Sequence, residues 1–433
     1  MLIKSIFTNS TGILTSRILG FIRDLLTASI LGANIYSDIF FVAFKLPNLF
    51  RRIFAEGAFT QAFIPSYAKA KHKIRFSSLI FLQLIGFLLV LSLLVTLFST
   101  LITKAIAIGF DTKTIDLAAP LVAINFYYLP LIFIVTFMAA LLQYKNHFAT
   151  TAFSTGLLNI AMIAALLISQ NLDKHEITYY LSYGVLIGGL LQVIVHIIAI
   201  KKKNLHKIFT FRIHKKKEEN RFYKSFMGAT VGSSTAHISA FLDTWLASFL
   251  VSGSISYLYY ANRIFQLPLA LFAIATSVAL FPMIAKAIKN KNEEKALILM
   301  RKSTIILFAL LGIATIIGIV FNDLIVWLLF ERGAFNKNDT SNTALILSMY
   351  LIGLIPFGLA KIFSLWLYAN EKQFIAAKIS MKSLAWNIVF SLALIIPFQA
   401  AGLAFASTLS GFILFYLTIK EFGFTKFKLL LKK

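Results

Sequence analysis

The chain has 433 residues, 59% of them apolar and 14% charged, with a mean hydropathy of +0.82. Soluble domains are about half apolar and a quarter charged, so this composition excludes a soluble enzyme, a disordered chain and, with no cysteine present, a disulfide-stapled scaffold. Lys and Arg outnumber Asp and Glu by 42 to 17, a net charge of +25. In a soluble protein that excess would point to nucleic acid. No soluble domain is left here to hold it, so nucleic acid is excluded as a partner and the location of the charges decides their meaning.

The first apolar stretch, residues 1–30, carries Arg17, Arg23 and Asp24 within it. A signal-peptide core is uncharged and about 7–15 residues long, so this stretch reads as a retained first span. A spanning helix needs about 20 mostly apolar residues. Windows of that kind fall at 5–31, 37–65, 76–103, 116–142, 148–170, 178–200, 223–251, 255–285, 303–330, 341–369, 374–397 and 401–420. The expected fold class is an all-α polytopic membrane protein of about twelve transmembrane helices.

Orientation follows from the asymmetry of Lys and Arg between alternate loops. One side carries 28, from Lys4 through the run Lys201–Arg221 to the Lys-rich tail, and the other carries 5. The basic side is cytoplasmic by this rule. Both termini are therefore expected there, with anionic membrane lipids as surface partners.

A short internal repeat sets the organisation. Residues 62–70, AFIPSYAKA, match 279–287, ALFPMIAKA, each closing the second span of its half. Upstream, Asp24, Ala28 and Ser29 match Asp243, Ala247 and Ser248. The expected layout is an N-terminal lobe over 1–203, a basic cytoplasmic linker over 204–221 and a C-terminal lobe over 222–433. Six spans per lobe leave both in one orientation, a parallel repeat of the kind that transporters use around a central site.

Charges at membrane depth cost at least about 2.5–3.5 kcal/mol each on insertion scales and mark aqueous cavities or paired groups. Span 1 holds Ser16, Arg17, Arg23 and Asp24. Span 2 holds Lys45, Asn48, Arg51, Arg52 and Glu56, with Asp38 near its outer end. Lys45, Asn48, Arg52 and Glu56 follow one helical stripe, and Arg52 and Glu56 are spaced for a local pair. Span 7 adds Asp243, a candidate counter-ion, and span 8 adds Asn262, Arg263 and Gln266. Arginine dominates, and its planar fork binds phosphate bidentately while keeping its charge. A di-anionic or pyrophosphate ligand suits such a set. Structural ion pairs that fix helix packing are the alternative. Lys361 and Lys382 read better as structural or snorkelling residues.

Other features are bland. His237 reads as a helix-packing residue, and Gly184-x-x-x-Gly188 and Gly228-x-x-x-Gly232 as close-packing motifs. The span prolines are expected to kink or end helices, and the 43 Phe to be mostly lipid-facing bulk. No P-loop, H-E-x-x-H, Asp-x-Asp or G-x-S-x-G pattern occurs. The buried polar residues are mostly cations, which suits a binding pathway and not a reaction centre. No enzyme activity, catalytic residue, metal ligand or cofactor is expected.

The stretch Ser16-Arg17-Ile18-Leu19-Gly20-Phe21-Ile22-Arg23-Asp24 and the pattern F-x-x-A-F-K-x-P-N-x-x-R-R-x-F-A-E-G-A-F over residues 40–59 resemble the MurJ (MviN) family of bacterial lipid II flippases. Residues 259–263, YYANR, and 329–335, LFERGAF, extend the likeness. The resemblance implies a MATE-like fold of the multidrug/oligosaccharidyl-lipid/polysaccharide exporter superfamily, with two pseudo-symmetric lobes around a central cationic cavity. It implies alternating-access transport of lipid II across the inner membrane. It places Arg17, Arg23, Arg51 and Arg263 at the family's essential arginines and Ser16, Asp24, Asp38, Lys45, Asn48 and Glu56 at its accompanying polar positions. Taken with the charges read above, substrate binding is expected at Arg17, Arg23, Arg51, Arg52, Arg263, Lys45 and Asn48. Supporting or gating roles fall to Ser16, Asp24, Asp38, Glu56 and Asp243.

Three departures stand beside it. Members commonly carry fourteen spans, so the last pair, which lines a groove for the lipid tail, is expected to be absent. Span 8 has Asn262 and Gln266 where some relatives have acids. Span 11 offers Asn387 and no acid to a sodium site, which leaves coupling to a monovalent cation or to the membrane potential open. Competing readings are a flippase for another polyprenyl-pyrophosphate-linked oligosaccharide, a drug exporter, which the arginines disfavour, and a non-transporting membrane scaffold. The sequence sets no oligomeric state.

Overall fold

The computed structural model describes residues 2–51, 58–205 and 218–432; the side chains of 2–10, 218–220, 228–229, 231–240, 429 and 431–432 lie outside that description. Helix is the only regular structure among the described residues. The first half comprises α1 (Leu2–Leu31), α2 (Ile35–Phe50), α3 (Ala58–Lys69), α4 (Lys73–Leu97), α5 (Ser99–Ile106), α6 (Thr112–Phe126), α7 (Tyr128–Tyr144), α8 (Ala149–Ser169) and α9 (Lys174–Lys202). The second comprises α10 (Glu218–Ala247), α11 (Ser254–Pro268), a π-helical segment (Leu269–Ile274), α12 (Ala275–Lys289), α13 (Glu293–Val320), α14 (Asn322–Phe330), α15 (Lys337–Ile352), α16 (Leu354–Ala369), α17 (Gln373–Phe422) and α18 (Phe424–Lys432).

Eight helical segments among the described residues are long and apolar enough to cross a membrane. One of them, α17, runs for 50 residues and is interrupted at Gln399, whose φ of 49° and ψ of −130° are not helical. The chain reverses there, between the predicted spans 374–397 and 401–420. The full count of twelve remains an expectation.

Two compact units form, Met1–His237 with Arg332–Ala334, and Ile238–Glu331 with Phe335–Lys433. The division falls inside α10, and most of the expected linker over 204–221 lies outside the described residues. Its cause is aromatic. Phe222 and Phe226, in the first turns of α10, are buried and stack at 5.5 Å. Phe222 meets Phe59, Phe63 and Phe76 edge-on at 5.9–6.4 Å. Phe133 and Phe137 of α7 close the cluster around Phe59. Much of the phenylalanine expected to face lipid is therefore core. Small residues draw the helix backbones together and leave the rings to fill the interior. A Cβ on Gly12 would lie 2.6 Å from Ala152 Cβ, and one on Gly188 would lie 2.7 Å from Leu158 Cα. The predicted Gly184/Gly188 motif thus packs α9 on α8.

The units share backbone irregularities. Phe98 breaks α4 from α5 at φ −111°, ψ 27°, and Phe321 breaks α13 from α14 at φ −110°, ψ 25°. Tyr127 separates α6 from α7, and Gly353 separates α15 from α16. In each of these pairs the second helix carries proline in its first turn, Pro130 or Pro356, where a missing N–H costs nothing. Left-handed residues end α7 and α16 alike, Asn146 at φ 58° and Glu371 at φ 59°. In both turns the next N–H reaches back five residues, His147 to Leu142 at 2.9 Å and Lys372 to Leu367 at 2.8 Å, the Schellman closure. Helix starts are fixed by side-chain caps. Asn34 and Ser37 form a capping box on α2, Asp111 caps α6, Asp173 caps α9, and Asn336 with Asp339 caps α15.

In the second unit α18 is fastened at one end of the bundle. Phe427 stacks edge-on with Phe363 at 5.5 Å, and Lys426 lies 4.9 Å over the Trp366 ring while pairing with Glu293 at 2.5 Å.

Candidate functional site

In the first unit the polar face of α1 is split in two. Arg17 is exposed, whereas Arg23 is only 6% exposed and Asp24 only 2%. Nε and Nη2 of Arg23 both donate to Asp24 Oδ1, at 3.2 and 2.6 Å. Nη1 donates to Asn159 Oδ1 at 3.0 Å and approaches the sulfur of Met162 at 3.7 Å. Asn159, on α8, turns its own amide to the carbonyl of Ser16 at 3.1 Å. One amide therefore ties the guanidinium of Arg23 and the backbone beside Arg17 to a neighbouring helix. A buried arginine paired with its own neighbouring carboxylate is close to neutral as a unit, which lowers its cost at membrane depth.

Helix α2 carries the next group. Asp38 is buried in its first turn, at the positive end of the helix dipole. Lys45 and Asn48 are half-buried, and the Asn48 amide donates to its own helix at Phe44 O, 2.9 Å. Arg51 forms the C-cap of α2, its backbone N–H bonded to the carbonyls of Pro47 and Asn48. Arg52 and Glu56 lie outside the described residues, and so does the side chain of His237.

In the second unit Arg263 of α11 is half-buried. Its guanidinium lies 4.8 Å over the ring of Tyr259, and Nη2 donates to the Tyr259 hydroxyl at 2.7 Å. Gln266 donates to Asn262 one turn along. Helix α11 ends at Pro268 and continues as the π-helical segment, a geometry that recurs at functional sites. Asp243, on α10, takes a long hydrogen bond from Ser407 at 3.5 Å, and Asn387 donates to Ser407 at 3.3 Å. The asparagine that stands without an acid on span 11 is thus joined to Asp243 through a hydroxyl. Lys361 and Lys382 are exposed. No group of three or more His, Asp or Glu among the described residues could hold a metal ion.

Sequence reasoning singled out the charges and missed their neutral partners. Asn159 carries a signal of its own, an amide in the middle of an apolar span. Tyr259 carries one too, four residues before an intramembrane arginine. Ser407 carries none.

The model of the family described as "Lipid II flippase MurJ" matches residues 27–433. This chain belongs to the MurJ family. A Helicobacter pylori (strain J99) protein described as a probable lipid II flippase MurJ is 51% identical over 417 residues, covering 92% of this chain and 90% of its own length. A MurJ from Buchnera aphidicola of Acyrthosiphon pisum is 35% identical over 434 residues, covering 97% of this chain and 83% of its own length. A solved lipid II flippase MurJ in an inward closed conformation superposes with a TM-score of 0.84 at 26% identity, covering 98% of this chain and 91% of that one. A multidrug MATE transporter in an inward-facing conformation reaches 0.77 at 13% identity over 99% of both chains, which shows the shared fold alone. The all-α, MATE-like membrane fold expected from the sequence is the one observed.

Proposed function

We propose that this chain moves lipid II, the undecaprenyl-pyrophosphate-linked peptidoglycan precursor, from the cytoplasmic to the periplasmic leaflet of the bacterial inner membrane by alternating access. The observation that carries the reading is the MurJ family match over residues 27–433, which includes the intramembrane Arg51 and Arg263. Both termini are cytoplasmic in this reading, by the distribution of Lys and Arg. The basic loops attract anionic lipids, and no chemical step is catalysed.

Within the site, the exposed Arg17 meets the pyrophosphate first. Arg51, Arg52, Lys45 and Asn48 of the first unit, and Arg263 of the second, are the other residues assigned to the anionic headgroup. Supporting or gating roles are assigned to Ser16, Asp24, Asp38, Glu56 and Asp243. Arg23 contributes by fixing α1, since its guanidinium is already held by Asp24 and Asn159. Outward movement of the anionic headgroup is favoured by an inside-negative potential, by about 2.3 kcal/mol per charge per 100 mV for a full crossing. Arginines that stay fixed in the protein add nothing to that term, so the potential acts on the cargo. No cofactor is required beyond this driving force or a coupled monovalent cation.

The test is rescue of a strain depleted of its lipid II flippase. Wild type is expected to restore growth and the accessibility of lipid II at the outer leaflet, and Arg17→Ala and Arg263→Ala are expected to fail while still inserting. A stably inserted wild-type chain that gives no rescue overturns the reading.

A further inference from the structure

Arg263 and Tyr259 stand four residues apart on α11, so they share one ridge of the helix. Helical side chains lean toward the N-terminus, which brings Arg263 back over the ring of Tyr259. Two contacts result, the stack at 4.8 Å and the hydrogen bond from Nη2 to the hydroxyl at 2.7 Å. A cation over an aromatic face is held by the ring quadrupole. The hydrogen bond then selects one edge of the guanidinium.

The ring itself is braced. Tyr259 packs on Tyr260 at 5.7 Å and 78°. Tyr260 is fully buried and lies against Phe330 at 5.0 Å and Phe335 at 5.6 Å. The restraint on Arg263 therefore ends in the aromatic core of the second unit.

We propose that Tyr259 is the positioning residue for Arg263. It fixes the guanidinium plane so that the fork is preset for a pyrophosphate oxygen, and it does so with a neutral ring that subtracts nothing from the charge of the arginine. A carboxylate in the same place would fix the fork equally well but would have to be displaced by the incoming phosphate. A leucine would leave the side chain to sample its rotamers, and that entropy would be lost on binding. The proposal rests on the lipid II reading, because it concerns how that headgroup is held.

The test is a double-mutant cycle on the full chain in nanodiscs, read as affinity for lipid II, with undecaprenol as the uncharged control. Tyr259→Leu removes ring and hydroxyl and is expected to weaken lipid II binding about tenfold, within the range of partly desolvated cation–π pairs. Tyr259→Phe keeps the stack and is expected to weaken it about threefold, the size of one hydrogen bond. In an Arg263→Gln background neither change has a further effect, because Tyr259 acts only through that arginine. An equal loss in both backgrounds, or wild-type affinity in Tyr259→Leu, overturns the proposal. Should Tyr259→Leu fail to fold, Tyr259→Phe alone decides: its loss must disappear in the Arg263→Gln background. A wild-type chain that binds lipid II no better than undecaprenol removes the flippase reading and this one with it, whereas wild-type binding without coupling removes only this one.

Discussion

The two units repeat a backbone and diverge in how they furnish it. Breaks at Phe98 and Phe321, at Tyr127 and Gly353, and left-handed turns at Asn146 and Glu371 recur in the same order. The intramembrane arginines do not follow that symmetry. Arg23 in the first unit is buried and bonded to a carboxylate and an amide. Arg263 in the second is half-buried and laid on a phenol ring. The same ion is thus kept at membrane depth by neutralisation in one place and by polarisable contact in the other. The first arrangement ties α1 to α8, and the second leaves the guanidinium half-exposed on an aromatic face.

The sharpest way to break that contrast is to remove the carboxylate. Asp24→Ala takes the carboxylate away from a buried guanidinium, and unpairing a buried ion pair costs about 3–5 kcal/mol. A large fall in the thermal unfolding midpoint of detergent-purified protein is expected, with partial recovery in Arg23→Met/Asp24→Ala. A midpoint unchanged by Asp24→Ala would show that the pair does not hold α1.

Asn159→Ala comes next. It removes the amide that accepts from Arg23 Nη1 and that donates a second hydrogen bond to the Ser16 carbonyl, at about 1–3 kcal/mol. The same unfolding assay should place it between wild type and Asp24→Ala. Hydrogen exchange should localise the loosening to α1 and α8.

Arg263→Gln should cost no more than about 1 kcal/mol of stability, the worth of a partly exposed cation–π contact, and so move the midpoint only slightly, while abolishing rescue of the depleted strain. If it unfolds the protein as Asp24→Ala does, the distinction between a structural and a ligand-facing arginine disappears.

The smallest effect concerns pH. His147, in the α7–α8 turn, bonds to Thr150 at 2.8 Å. Burial, and then the nearby Lys203, push its pKa below the usual histidine value. The turn is therefore more stable with neutral imidazole. That contribution is full above the unfolded histidine pKa of about 6.5 and is lost as pH falls through the lower folded value. A slight rise in amide exchange over residues 145–152 between pH 7 and pH 5 is expected, and His147→Gln should abolish it.

What the sequence made legible was what its chemistry states locally. Charges inside apolar windows are costly wherever they fold, so Arg17, Arg23, Arg51 and Arg263 stand out without a structure. The reversal near Pro397 shows as a proline between two apolar runs. Partners that meet through space do not show. Asn159 lies 136 residues from Arg23, and nothing in the α8 sequence names its target. The burial of Phe222 and Phe226 is equally silent, because a phenylalanine facing lipid and one facing another ring have the same local pattern. The division inside α10 follows from those rings.

The fastening of α18 also bears on how α13 and α16 are kept in register. Its Phe427 covers Phe363, and its Lys426 bridges Glu293 and Trp366. A polypeptide interrupted before Phe424 would leave that aromatic surface wet and the first turn of α13 without its tether. Lys426 would then no longer join Glu293 of α13 to Trp366 of α16, so α18 works as a buckle across two helices that lie far apart along the chain.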